Sequence, residues 1–373
     1  MGTTATMPGR TTSRRVIDLS LGDPGYDPPQ EAKLAVARGL AAGNERYAPP
    51  GGMPRLRAAC ADKLRTRNGI DARPDEVVIT TGASLGLFCA LAASCSPGDI
   101  VLVPDPGFPL YLLMAETLRL RPRRYVLQQD ACFEPDWDDL AEGASAARVL
   151  IWNSPSNPLG TVARQDWVDR LRELLARNPD LVLLSDEVYE DTCLDSGHVS
   201  PRATADRLGD RIVSLFSFSK SYAMTGWRVG YLHAPADQAS RLARIHWGVS
   251  MSTPSASQRA ALAALEAGDD YLAGVRDHLR LARAQALDWA RRRDFPVPLP
   301  EGGFFLWPDV SSSGLDAGRF CDDAISECGV LMAPGTDFSP AAASRVRLSF
   351  AASHDDLREA LTRLDSWLEG RAG

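Results

Sequence analysis

The run Ser217-Phe218-Ser219-Lys220-Ser221-Tyr222-Ala223-Met224-Thr225-Gly226-Trp227-Arg228 concentrates the residues with the clearest chemistry. Two serines precede a lysine, and an arginine follows it. Only three lysines occur, Lys33, Lys63 and Lys220, among 41 basic residues. Arginine stays protonated in proteins, whereas a lysine amine can lose its proton and attack a carbonyl. A chain that meets its need for positive charge with arginine, yet keeps Lys220 in a Ser/Gly/aromatic loop, points to a lysine retained for chemistry. A solvated loop lysine is the plain alternative.

Other candidates sit just after predicted strands, where an open parallel sheet binds its ligands. A strand over 76–80 is followed by Thr81-Gly82-Ala83-Ser84 and then a helix. Small residues at a helix N-terminus expose N–H groups and the positive dipole end, which suits a phosphate. An ordinary N-cap serine is the competing reading of Ser84. A strand over 99–103 leads into Pro104-Asp105-Pro106-Gly107-Phe108-Pro109-Leu110-Tyr111, where Phe108 could stack on a flat heterocycle or simply pack. A strand over 148–152 leads into Asn153-Ser154-Pro155-Ser156-Asn157-Pro158-Leu159-Gly160, where Asn157 could donate to a ring oxygen. A strand over 181–184 leads into Ser185-Asp186-Glu187-Val188-Tyr189. Asp186 follows leucines and valine directly, a costly place for a carboxylate unless a cation pairs with it. A protonated pyridine nitrogen would be such a cation, its pKa raised by the carboxylate. Tyr189 could then reach the ring's phenolic oxygen. One ligand satisfies all of these features together with a Schiff-base lysine: pyridoxal 5'-phosphate. No G-x-G-x-x-G or Walker loop occurs, so a dinucleotide or nucleoside triphosphate has no support.

The elements that must position these residues alternate. Helices are predicted over 30–42, 55–68, 85–95, 109–118, 137–142 and 165–177. Strands are predicted at the positions above and over 123–126, 212–216 and 229–233. Short apolar strands separated by helices indicate a buried, mostly parallel sheet of about seven strands with helices on both faces. After a long amphipathic helix over 273–293 the pattern changes to short strands over 304–307 and 345–350 and a last helix over 355–368. The fold class is therefore α/β, a large parallel-sheet domain with a smaller α+β domain. The expected division is an N-terminal arm over 1–15, a large cofactor-binding domain over 45–275, and a small domain from 16–44 and 276–373.

Composition narrows the remaining possibilities. The 373 residues suit about two domains and a large core. A net charge of -7 argues against nucleic acid as a partner. The seven cysteines are scattered without a C-x-x-C pair, and read as reduced thiols of a cytoplasmic protein. The first 15 residues lack the apolar stretch of a secretory signal, and no apolar run approaches the ~20 residues of a membrane span. No metal site is expected.

Tyr47-Ala48-Pro49-Pro50-Gly51, Pro155-Ser156-Asn157-Pro158, Ser185-Asp186-Glu187-Val188-Tyr189, Ser217-x-Ser219-Lys220 with Gly226-Trp227-Arg228, and Val346-Arg347-Leu348-Ser349-Phe350 carry a resemblance. The sequence resembles, from about Val16 to its final helix, the class I/II aminotransferases of pyridoxal-phosphate fold type I. That resemblance implies that Lys220 forms the Schiff base and shuttles the proton, that Asp186 pairs with the ring nitrogen, and that Tyr189 and Asn157 bind the ring oxygen. It implies Phe108 as the ring's stacking partner, and Ala83, Ser84, Ser217, Ser219 and Arg228 as the phosphate cup. Tyr47 would reach the phosphate of the neighbouring subunit's cofactor, implying a homodimer with shared sites. Arg347, aided by Gly22 and Asn157, would clamp the substrate α-carboxylate. By analogy, Tyr26 and Met251-Ser252-Thr253 would line the side-chain pocket. Leu159 and Ser339 depart from the family pattern where Thr and Gly are usual.

The activity implied is transfer of the α-amino group of an L-amino acid to a 2-oxo acid by a ping-pong mechanism. The alternative on the same scaffold is a lyase, cyclase or replacement enzyme acting on an amino acid. A ligand-sensing regulator of this fold would need a DNA-binding domain, for which 15 N-terminal residues are too short. Alternation along 345–350 sets Arg345, Arg347 and Ser349 on one face. By alternation alone both arginines would be solvated.

Overall fold

Short runs of Val, Ile and Leu, ended by Gly, Pro or Asp, make the strands of this chain, and the computed structural model describes residues 15–43, 46–203 and 207–371. Of the expected N-terminal arm, all but Arg15 lies outside the described residues. The strands are β1 (Ile17–Asp18), β2 (Val77–Thr80), β3 (Ile100–Asp105), β4 (Arg121–Gln128), β5 (Glu134–Pro135), β6 (Val149–Asn153), β7 (Val182–Asp186), β8 (Ile212–Ser217), β9 (Gly230–His233), β10 (Phe305–Leu306), β11 (Val330–Leu331), β12 (Ala333–Pro334) and β13 (Val346–Ser349). The helices are α1 (Gln30–Ala41), α2 (Pro54–Arg67), α3 (Gly82–Ser94), α4 (Leu110–Thr117), α5 (Trp137–Ala144), α6 (Gln165–Arg177), α7 (Phe218–Ser221), α8 (Ala236–Ser250), α9 (Ser255–Glu266), α10 (Asp269–Arg292), α11 (Ala317–Asp323) and α12 (His354–Arg371).

The large sheet has the order β2-β9-β8-β7-β6-β3-β4-β5. Only β9 and the two-residue edge strand β5 run against the others. The eighth strand is thus this short edge piece, beyond the seven expected. Period-two alternation buries both faces of the sheet. Val78, Val101, Val103, Ile151, Leu184 and Leu215 pack under α3, α4 and α8. Leu102, Leu150, Trp152 and Leu183 pack under α5 and α6 on the other side. Between β3 and β6 the winding reverses: the chain goes outward to β4 on one side and to β7 and β8 on the other. The crevice at the carboxyl ends of these strands is where such a sheet binds ligands.

Two helices, α8 and α9, occupy a stretch to which the sequence pattern assigned no element. The buried face of α9 is mainly Ala260, Ala261, Ala263 and Ala264, with Ser257 and Gln258. Alanine gives little hydropathy contrast, so the 3.6-residue period is weak. Strand β4 is longer than expected because its charges are paired at the sheet's edge, Arg124 with Asp105 and Arg123 with Asp139.

Beyond α10, strands β10, β13 and β12 form an antiparallel sheet over a core containing Trp289, Phe304, Phe320 and Phe350. The N-terminal segment joins this part, because β1 pairs in parallel with β11. Ser349 N–H then donates to Leu19 O at 2.8 Å, and Gly25 N–H to Ala351 O at 2.7 Å. The loop between Leu19 and Gly25 is thereby stretched across the large sheet's crevice.

Gly230 opens β9 where three pieces of backbone converge. A Cβ there would lie 2.7 Å from Phe216 O and 2.8 Å from Ala83 N. Backbone cannot swing aside as a side chain can, so Gly230→Ala should cost about 1–3 kcal/mol of stability. Urea unfolding reads this, and an unchanged midpoint would mean that β8 and the start of α3 yield freely.

Candidate functional site

A cavity of about 410 Å³ opens at the carboxyl ends of the parallel strands. Lys220, Asp186, Tyr189, Asn157, Phe108, Ala83, Ser84, Ser217, Ser219, Arg228, Gly22 and Arg347 all line it. Twelve residues singled out along 326 positions of sequence are therefore brought to one place. Tyr47 is not among them. It is 77% exposed, on the surface of its own chain.

Each strand delivers its residue by simple geometry. Asp186 is the last residue of β7 and Asn153 the last of β6, paired in register. Burial pushes the Asp186 carboxyl up from 3.8 to about 6, against the opposing effects of a hydrogen bond from Tyr111 Oη (2.7 Å) and a longer one from Val188 N–H (3.4 Å). Among the described residues no cation lies in ion-pair contact with it. A buried carboxylate facing a cavity without its cation fits a protonated ring nitrogen.

Ser217 caps the short α7, its Oγ accepting from Ser219 N–H at 3.1 Å. One turn later Lys220 Nζ donates to Gly22 O at 2.5 Å, so the lysine reaches the loop stretched across the crevice. Burial lowers the Lys220 amine to about 8, with Asp23 opposing and Arg347 and Arg228 reinforcing that shift. A lysine near 8 carries a useful neutral fraction at physiological pH.

Arg228 holds a left-handed backbone, φ 53°, unusual for a residue with a side chain. That turn lays its guanidinium along the start of α3. At Gly82 a Cβ would lie 2.5 Å from Arg228 Nη2, so only glycine lets the two meet. The N–H groups of Ala83 and Ser84, the Ser217 and Ser219 hydroxyls and this guanidinium form a donor set suited to a phosphate.

Arg347, in β13, is buried between two aromatic rings, its guanidinium carbon 4.2 Å from the Phe305 centroid and 4.5 Å from that of Phe338. Its Nη1 donates to Asn157 Oδ1 at 2.8 Å, Nη2 donates to Ser20 O, and Nε is buried with no partner among the described residues. Burial lowers it to about 10. The solvated face that alternation suggested is not found. Arg345 is buried as well, donating to Trp307 O at 3.1 Å and lying 3.6 Å from Asp309. The main-chain carbonyls of Pro296 and Trp307 and the Asp309 carboxylate take up Arg345, and of the two only Arg347 lines the cavity.

Two expectations need correction. Tyr26 does not line the cavity: its hydroxyl donates to Lys220 O at 3.0 Å, behind the lysine, and its ring packs edge-on against His278. Met251, Ser252 and Thr253 do not line this chain's cavity either. Thr253 is buried beside Thr81, their hydroxyls 3.4 Å apart. Leu159 and Ser339 stand outside the cavity, Leu159 packing with Trp307 and Phe338.

Three contributors were not singled out from sequence. Tyr111 lies within a quoted loop, but its bond to Asp186 spans 75 positions. Asn153 bridges two strand ends, donating to Asp186 O at 3.0 Å and accepting from Asn157 N–H at 2.8 Å. His246 accepts from Thr81 N–H at 3.1 Å and so fixes the turn that starts α3. Only Tyr111 left a signal, three residues after Phe108, where a helical turn brings the two rings edge to face at 5.7 Å.

Fold and site together define an α/β protein with a buried lysine, a buried carboxylate and a buried arginine around one cavity at the carboxyl ends of its strands. The profile of the family described as aminotransferase class I and II matches residues 14–364, and the chain belongs to that family. It is 33% identical to an aspartate/prephenate aminotransferase of Thermus thermophilus, over 96% of this chain and 92% of that one. It is also 33% identical to an arginine–pyruvate transaminase of Pseudomonas aeruginosa, over 94% and 89%. A solved double mutant of Thermus thermophilus aspartate aminotransferase superposes with a TM-score of 0.89 at 32% identity, over 95% of this chain and 92% of that one. The enzyme is an aminotransferase.

The Asp186 environment has a measurable cost. An acid whose folded pKa lies above its unfolded value is favoured in the fold when protonated, and that advantage is lost as pH rises through the folded value. The shift from 3.8 to about 6 makes the charge destabilising above about pH 6 and neutral in effect below about pH 4. Without cofactor, Asp186→Asn should be more stable than the parent at pH 8 by about 2–3 kcal/mol, with no advantage near pH 4. Urea unfolding at the two pH values tests this. A variant weaker than the parent at pH 8 would show that the carboxylate is compensated.

Proposed function

We propose that the cavity binds pyridoxal 5'-phosphate on Lys220 and transfers the α-amino group of an L-amino acid to a 2-oxo acid. The observation that carries this reading is the convergence of Lys220, Asp186 and Arg347 on one cavity from three distant parts of the chain. Asp186 would hold the ring nitrogen protonated, Tyr189 and Asn157 would bind the ring oxygen, and Phe108 would cover the ring. Ala83, Ser84, Ser217, Ser219 and Arg228 would hold the phosphate. The bound cofactor supplies an electron sink that acidifies the substrate's Cα–H bond.

The chain's own residues do the rest. Arg347 holds the α-carboxylate by two parallel hydrogen bonds, one of them from the unpartnered Nε. That grip, with Asn157 beside it, fixes the Cα–H bond relative to the ring. Lys220 Nζ, free once the substrate amine has taken its place, would accept the Cα proton and hand it on, so that one amine serves both proton transfers. Gly22 O lies where it can steady the amine between the two steps. The oxo acid leaves before the acceptor enters, so the kinetics are ping-pong.

We propose further that the chain divides into a large domain over 45–275 and a small one from 16–44 and 276–373. The exposed Tyr47 supports a homodimer with shared sites, and seven cysteines without a disulfide fit a cytoplasmic protein. Sedimentation at assay concentration should give a dimer. A fully active monomer would remove Tyr47 from any site.

The function is tested in a single turnover. Cofactor-loaded enzyme mixed with an amino acid and no acceptor should release one equivalent of 2-oxo acid and no ammonia. Ammonia release would favour the lyase or cyclase alternative. Arg347→Lys, which replaces a planar fork by a point charge, should raise KM for the amino acid roughly 10- to 100-fold. An unchanged KM would assign the carboxylate to another residue.

A further inference from the structure

Thr81 stands at the N-cap of α3, yet its hydroxyl makes no cap among the described residues. A threonine in that place ordinarily accepts, on its hydroxyl oxygen, an N–H two or three residues further on. Those residues are Ala83 and Ser84, whose N–H groups belong to the donor set suited to a phosphate. The first N–H groups of a helix have no carbonyl one turn back to receive them. A capping hydroxyl and a phosphate therefore compete for the same donors.

The Thr81 hydroxyl is engaged instead by α8 and the segment after it. Its Oγ1 lies 3.3 Å from His246 Nε2, 3.2 Å from Ser250 Oγ and 3.4 Å from Thr253 Oγ1. Thr81 N–H donates to the same His246 Nε2 at 3.1 Å. A main-chain N–H can only donate, so Nε2 accepts and the ring is neutral, with its proton on Nδ1. Burial, which lowers the basicity of His246, holds the ring in that form. The histidine is 1% exposed, and every member of this cluster belongs to one chain. Neither His246 nor Thr81 lines the cavity, whereas Ala83 and Ser84 do.

We infer that His246 is a positioning residue for the cofactor phosphate: by engaging Thr81 it keeps that hydroxyl off the Ala83 and Ser84 N–H groups and leaves them to the ligand. This rests on the pyridoxal-phosphate reading of the cavity. Without His246 the hydroxyl turns to its usual capping partners, and the phosphate loses one charge-assisted hydrogen bond. That loss is worth roughly 10- to 100-fold in affinity. The aldehyde and the ring are held by other residues and keep their contacts.

The test compares pyridoxal 5'-phosphate with pyridoxal, the same aldehyde without the phosphate. Each is titrated into the full-length chain freed of cofactor, and the absorbance of the adduct on Lys220 reads its affinity. The ratio of the two affinities isolates the phosphate. His246→Leu, which cannot accept a hydrogen bond, should lower that ratio roughly 10- to 100-fold while pyridoxal binds as it does to the parent. His246→Met, whose flexible side chain fills irregular space, makes the same comparison should His246→Leu not fold. His246→Gln, whose carboxamide oxygen can stand in for Nε2, should keep most of the ratio. Thr81→Ala added to His246→Leu removes the competing hydroxyl and should restore most of it. An equal loss for both aldehydes would mean a merely structural histidine and overturns the inference, as does an unchanged ratio or a loss that Thr81→Ala leaves in place. A parent that forms no adduct with either aldehyde removes the cofactor reading itself, and the inference falls with it.

Discussion

The structure depends on keeping one carboxylate ionisable in a place that resists it. Asp186 ends a strand of leucines at the centre of the sheet, and burial outweighs the two hydrogen bonds it receives. Nothing in the fold requires a charge there, since an apolar residue would pack as well and cost less. The neighbouring elements are arranged around it all the same. Tyr111 at the start of α4 turns inward to donate to it, and Asn153 ties the strand beside it to its backbone. Lys220 stands across the cavity, its own basicity lowered by the same desolvation. Two groups pushed towards neutrality from opposite sides is an arrangement suited to moving protons near neutral pH.

Much of this was legible in sequence because parallel sheets present their chemistry at strand ends. Asp186, Asn157 and Phe108 each lie in the loop after a run of apolar residues, so reading those loops found them, and the scarcity of lysine singled out Lys220. What was missed depends on approach between elements. His246 belongs to α8, a helix the pattern did not reveal, and its bond to Thr81 spans 165 positions. Tyr26 was expected at the pocket by analogy alone, and the path of its loop turns it behind the lysine.

The two arginines of β13 show the limit most plainly. Arg345 and Arg347 share a face, a residue type and the same burial. One is consumed by a main-chain carbonyl and Asp309. The other is slotted between Phe305 and Phe338 with an N–H to spare. Side-chain alternation cannot separate them, because the distinction comes from what folds over each. The aromatic faces hold the guanidinium's plane without using its hydrogen-bonding edge, which a lysine could not reproduce.

The pairing of Ile17 with Val330 ties nearly the whole length of the chain into the site. The loop carrying Gly22 can be drawn across the crevice only once β11 exists to hold β1, and Arg347 arrives later still, in β13. During synthesis from the N-terminus the large sheet and its lysine are complete while the loop that covers them has no anchor. A chain released early would therefore keep Lys220 and lack both the loop that covers it and Arg347. The enzyme's last strands act as a seal on an already assembled interior, so that the buried Arg347 and a shielded Lys220 amine appear together, late, and in the same event.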